Sequence, residues 1–151
     1  MMDVSNFFYK LSCKKTTKER CDLRLTEEYL RNKDMPYLKI NKIFYELQKY
    51  KDSMKSWDRE IYAYCRDRIS LSLKNKWFNK EGEIYFKANQ EKLAKYIGVS
   101  RKTVNESFKK LISLGLLEVE KGAGIKNENI YFLCEIPELV RENLNVTQSY
   151  N

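Results

Sequence analysis

The segment from Asn89 to Tyr131 admits few folds. It opens on a capping residue, Asn89, and sets Leu93, Ala94 and Ile97 on one face at helical spacing. Gly98 then permits a sharp turn of a kind that a Cβ resists. Val99 packs inward, and Ser100 caps a second helix running from about Arg101 to Leu114, with Val104, Phe108, Leu111 and Ile112 along its apolar side. Gly115 ends that helix as a C′ glycine. Leu116 to Lys121 alternates as a strand, with Leu117 and Val119 on one face. Gly122-Ala123-Gly124 turns the chain, Ile125 to Asn129 forms a loop, and Ile130 to Leu133 returns. Two short helices about a glycine turn, then a hairpin with a polar, basic tip, specify a winged helix-turn-helix. The predicted fold class is α+β, mostly helical, with a small antiparallel sheet and an N-terminal extension.

The preceding residues supply a scaffold for this unit. Ser56 is expected to cap a long helix with Asp58 and Glu60 in its first turn, and Trp57, Ile61, Cys65 and Ile69 recur every four residues with Tyr64 on the same face. That stripe reads as core. Arg68, Ser72, Lys74 and Asn75 are expected to cap this helix and fix the loop after it. Asn41 is expected to cap one helix carrying Ile43, Phe44, Leu47 and Tyr50, closed by Lys51-Asp52-Ser53. Ile84 to Lys87 reads as a short strand, the outer partner of the later hairpin. Pro137 suits the first position of a last short helix with Leu139, Val140 and Leu144 apolar. Before residue 37 lie an apolar cluster, Phe7, Phe8, Tyr9 and Leu11, and a net-basic run from Cys13 to Arg24, which is either an arm for DNA phosphates or a solvated loop. Thr26 caps a short helix that Asp34-Met35-Pro36 ends. The expected boundaries are an extension over 1–36, a winged-helix domain over 37–135, and a short helix and tail over 136–151.

Composition narrows the function. The 151 residues contain no histidine, which removes Ser-His-Asp and Cys-His nucleophile pairs and any histidine ligand for zinc. None of the four cysteines, Cys13, Cys21, Cys65 and Cys134, stands in a C-x-x-C pair. They read as reduced thiols, with a Cys13–Cys21 bridge as the alternative. No catalytic residue, metal or cofactor is predicted, and the chain is expected not to be an enzyme. The N-terminus lacks a signal sequence, and the longest uncharged apolar run, Leu111 to Leu117, falls far short of the roughly 20 residues of a membrane span. A cytoplasmic protein with no membrane contact is expected.

A net charge of +8 favours a polyanionic partner. From Lys87 to Lys126 nine cations face four carboxylates, so more than half of the net charge falls in about a quarter of the chain. The second helix of the pair is roughly 20 Å long at 1.5 Å per residue, a size that enters the major groove by its N-terminal residues. Its outward residues, Arg101, Lys102, Thr103, Asn105, Glu106 and Lys109, are the expected base readers: arginine or lysine for guanine, asparagine for adenine, glutamate for the cytosine amino group. Gln90, Lys92, Ser100 and Lys110 are expected to meet phosphates, and Lys121, Lys126, Asn127 and Asn129 form the wing's contact surface.

Several segments also recur in a recognisable order: L-K-I-N-K-I-F (38–44), D-R-I-S-L-S-L-K-N-K-W (67–77), G-E-I-Y (82–85), V-S-R-K-T-V (99–104) and L-G-L-L-E (114–118). Over roughly residues 37 to 133 they resemble the N-terminal domain of the replication initiator A (RepA) family of plasmids from low-GC Gram-positive bacteria, most specifically in the D-R-x-x-L-S-x-K-N-x-W segment. Asn41 stands where the family has proline in its I-P-K start, a departure that bears on the local backbone and not on the fold. The resemblance implies a winged helix that binds repeated sites of a plasmid origin of replication as a homodimer. It also implies that host replication proteins are engaged through a separate C-terminal domain, for which 151 residues leave no room. The expected function is sequence-specific binding of double-stranded DNA at origin repeats. A winged-helix transcriptional regulator and a protein-interaction module of the replisome are the alternatives.

Overall fold

A computed structural model of the chain describes residues 26–31 and 36–141. The expectations for Phe7, Phe8, Tyr9, Leu11, Cys13 to Arg24, Leu144 and the tail fall outside the described residues. The chain divides into two units, Met1–Tyr37 and Leu38–Asn151. In the first, helix α1 spans Glu27–Arg31, with Arg31 paired to Glu27 one turn away.

The second unit begins with two short helices, α2 (Ile43–Glu46) and α3 (Gln48–Ser53), where one was expected. Leu47 between them is extended, with φ −86° and ψ 126°. Packing explains the break. On one unbroken helix Phe44 and Tyr50 would point about 120° apart. With Leu47 extended, both rings are fully buried, and Phe44 meets Tyr50 and Tyr62 edge-on at 5.3 and 5.1 Å. Asn41 turns its side chain to the chain start of α2, accepting from the Ile43 amide at 3.0 Å.

Helix α4 spans Ser56–Lys74. Ser56 is its first residue rather than its cap: the preceding Lys55 is extended, and its amide donates to the Asp58 carboxylate at 2.8 Å. The buried stripe is Asp58, Ile61, Tyr62, Cys65 and Ser72, while Trp57 and Ile69 are only half-buried. A four-residue repeat drifts off a 3.6-residue helix, so the face centres one position later than the tryptophan. Asn75 closes the helix, its amide bonded to the Leu71 carbonyl at 3.0 Å.

Ile84 to Lys87 is not a continuous strand. It holds two isolated bridges, Phe78 to Ile84 and Phe86 to Tyr131. The second pins this segment to the hairpin through paired amide bonds of 2.9 and 3.0 Å. Helices α5 (Gln90–Ile97) and α6 (Arg101–Ser113) then lead into β1 (Leu117–Glu120), which pairs antiparallel with β2 (Ile130–Leu133). The register sets Leu117 opposite Leu133 and Glu120 opposite Ile130. One core gathers Phe44, Tyr50, Ile61, Leu93, Phe108, Leu111, Leu116 and Leu117. Ile136 is buried in it as well, and residues 137–141 are helical from Pro137 onward. The Tyr50 hydroxyl donates to Glu138 at 2.6 Å and the Tyr62 hydroxyl to the Cys134 carbonyl at 3.0 Å, tying that segment to the scaffold. The architecture is a helix-turn-helix with a two-stranded wing, braced by α4.

Candidate nucleic-acid interface

The helix-turn-helix is built by local chemistry. The Asn89 side chain accepts from the Lys92 amide at 3.1 Å and starts α5. Gly98 ends α5 in the left-handed region at φ 85°. There a non-glycine residue pays roughly 1–2 kcal/mol in backbone strain. Two residues later the Ser100 hydroxyl accepts from the Thr103 amide at 3.1 Å and starts α6. The Ser100 and Thr103 hydroxyls also bond each other at 2.9 Å. Both side chains thus serve the cap, and both hydroxyls stay near the surface at the start of α6.

Helix α6 buries Val104, Ser107, Phe108 and Leu111 and turns Arg101, Lys102, Asn105, Glu106 and Lys109 to the solvent. Ile112, expected on the buried side, is exposed, and Ser107 takes a place on that side instead. The reason is polar. Asp58, only 1% exposed at the first turn of α4, accepts from the buried Ser107 hydroxyl and from Lys110 Nζ at 2.9 Å. Burial by itself would raise this carboxyl. The bonds from Ser107, the Lys55 amide and Lys110 prevail and hold it below the ordinary carboxylate range. A buried carboxylate is stable only when its acceptor sites are filled, and here both oxygens are. Asp58 therefore locks the outward helix to its brace. Lys110 belongs to this lock, with its side chain a third exposed.

The other expected contact residues fall into two groups. Lys102, Asn105, Glu106 and Lys109 are exposed on α6 with no side-chain partner among the described residues. Arg101 is exposed too, but its guanidinium lies 3.2 Å from the Glu91 carboxylate of α5. Gln90 is half-buried and Lys92 exposed at the start of α5. On the wing, Lys121, Lys126, Asn127 and Asn129 are all exposed. Lys126 and Asn127 adopt left-handed backbone at φ 57° and 59°, and Asn129 accepts from the Gly122 amide at 3.1 Å, fixing the tip from within. Asn129 is thus partly a structural residue.

Residues outside the expected set also line this face. A cleft of about 650 Å³ opens between the start of α5 and the wing, and Arg68 of α4 and Lys87 stand in it beside Lys92 and Arg101. Lys87 pairs with Glu128 of the wing at 3.4 Å. Arg68 is the arginine of the D-R-x-x-L-S segment, which was the available sequence signal; its half-buried place in the cleft is set by packing. No group of His, Cys, Asp and Glu suited to a metal ion occurs among the described residues. Nor is any described helix long and apolar enough to cross a membrane.

The chain resembles several solved structures. The N-terminal domain of a DNA-binding protein aligns with 91% of this chain and 95% of its own at 26% identity, TM-score 0.60. A Rep–DNA complex aligns with 86% and 95% at 26% identity, TM-score 0.57. The structure of an MDR initiator, at 23% identity, TM-score 0.58, with 91% and 98% covered, shows the same fold. No curated protein matches. The family model for the N-terminus of the replication initiator protein A (RepA) matches residues 36–145. The chain belongs to the RepA N-terminus family of replication initiators.

Proposed function

We propose that this chain binds double-stranded DNA sequence-specifically, at repeated sites of a plasmid replication origin, as the origin-recognition domain of a replication initiator. The observation that carries the reading is α6. Its inner face is fixed to the core and to Asp58, while Arg101, Lys102, Asn105, Glu106 and Lys109 point outward on a helix of major-groove size. Family membership and the likeness to a Rep–DNA complex support it. Arg101 or Lys102 reads guanine, Asn105 adenine and Glu106 the cytosine amino group. Lys92, the amide groups at the start of α5, and Lys121, Lys126 and Asn127 of the wing hold the backbone. The protein acts as a homodimer in the bacterial cytoplasm, without enzymatic turnover, two copies placing their α6 helices about one helical turn apart on paired repeats.

The test is fluorescence anisotropy on a duplex carrying the origin repeats and on a scrambled duplex, over a series of salt concentrations. Tight, salt-dependent binding that prefers the repeats supports the reading. Absence of binding to either duplex at about 50 mM salt, where phosphate contacts are strong, leaves a protein-interaction module in its place. Binding that prefers a promoter over the origin repeats would make the chain a transcriptional regulator.

A further inference from the structure

Four cations converge on the cleft between the start of α5 and the wing: Arg68, Lys87, Lys92 and Arg101. Two carboxylates of the same cleft, Glu91 and Glu128, stand against two of them, at 3.2 Å from Arg101 and 3.4 Å from Lys87. Arg68 and Lys92 have no carboxylate partner among the described residues.

The two sets of charges are held differently. Arg68 is half-buried, with its guanidinium carbon 5.9 Å from the centre of the Tyr64 ring, and Lys87 Nζ lies 5.2 Å from the centre of the Trp77 ring. Aromatic faces thus keep both cations in the cleft when a carboxylate leaves. Glu91 and Glu128 are 68% and 52% exposed at the side chain, and the cleft holds them through ion pairs alone. Such exposed pairs are weak and open readily. A phosphodiester offers the same singly charged pair of acceptor oxygens as a carboxylate.

We infer that Glu128 is an internal stand-in for a DNA backbone phosphate. It occupies Lys87 in the free protein and yields to a phosphodiester of a bound strand, which Arg68 and Lys92 engage first. The inference rests on the DNA-binding reading above and adds to it a self-competing backbone site. Because phosphates carry no sequence information, the competition lowers affinity for every sequence alike.

A double-mutant cycle on Lys87 and Glu128 tests this, read as dissociation constants for the repeat duplex and for a scrambled duplex. Glu128→Gln tightens both by about two- to fivefold, the range an exposed pair can supply. In the Lys87→Gln background the same change has an effect under about 1.5-fold, since the cation it unmasks is gone. Arg68→Gln weakens both duplexes by about tenfold, at an unchanged thermal midpoint. An equal gain from Glu128→Gln in both backgrounds means a general charge effect and overturns the inference, as does no gain at all. If the wild type binds neither duplex, the DNA-binding reading falls and takes this inference with it.

Discussion

Replacing Asp58 by alanine removes the lock that sets α6 on its brace. Three donors lose their acceptor: the Lys55 amide at 2.8 Å, Lys110 Nζ at 2.9 Å and the Ser107 hydroxyl. The amide bond is half of a capping arrangement at the start of α4, and losing such a cap costs about 0.5–2 kcal/mol. The Ser107 hydroxyl, on a residue 1% exposed, is left in the core without its partner, for about 1–3 kcal/mol. Lys110 contributes less, because its side chain is a third exposed and swings to water. That escape keeps the total below the 3–5 kcal/mol of a fully buried broken pair, so we expect about 3 kcal/mol. Urea unfolding measures it as a fall in midpoint at unchanged slope. Lys110→Met, which leaves Asp58 its two other donors, should cost about half as much. The lock also has a pH signature. The folded carboxyl lies below its ordinary value, so its stabilisation is complete above the unfolded-state pKa of about 3.9 and is lost as pH falls through the folded value. The stability gap between wild type and Asp58→Ala is therefore flat from about pH 5 to 7 and narrows below about pH 4. A variant within about 0.5 kcal/mol of wild type at neutral pH would refute the lock.

Other predictions follow from single residues. Gly98→Ala meets no atom within 4 Å, so its whole cost is the left-handed backbone at φ 85°, about 1 kcal/mol by chemical unfolding, with Gly98→Asn milder. Lys126→Ala should weaken binding to repeat and scrambled duplexes alike and flatten the salt slope by about 1, read by anisotropy across a salt series. Cys65 is buried and its thiol is pushed up to about 12 by burial, so alkylation at pH 8, mapped by mass spectrometry, should reach it only after denaturation. A monomeric mass by light scattering, with and without the repeat duplex, would remove the dimer from the account.

What could be read in advance divides by the range of the interaction. The caps at Asn89 and Ser100 and the glycine turns at 98 and 115 are local, each set by a side chain and an amide within three residues or by one backbone angle. They were legible as written. The lock was not, because its partners stand 49 and 52 residues from Asp58, which on its own reads as a first-turn acid facing the helix dipole. The ion pair of Lys110 was hidden for the same reason: a lysine in a basic helix reveals nothing of a carboxylate brought to it by packing. The break at Leu47 likewise satisfies two rings that meet only in the folded core. The outward face of α6 could be listed residue by residue from periodicity. The ion pairs that Arg101 and Lys87 make across the cleft join segments that only the fold brings together.

Base reading by α6 is tested by a base-substitution profile of one origin repeat. The binding free energy of every single-base variant of the repeat is measured for wild type, Arg101→Ala, Lys102→Ala and Asn105→Ala. Wild type should lose about 1–3 kcal/mol at each contacted position; Arg101→Ala or Lys102→Ala should flatten the loss at a guanine of the repeat, and Asn105→Ala the loss at an adenine. Profiles of unchanged shape in all three variants would contradict it, and would move sequence recognition off this helix.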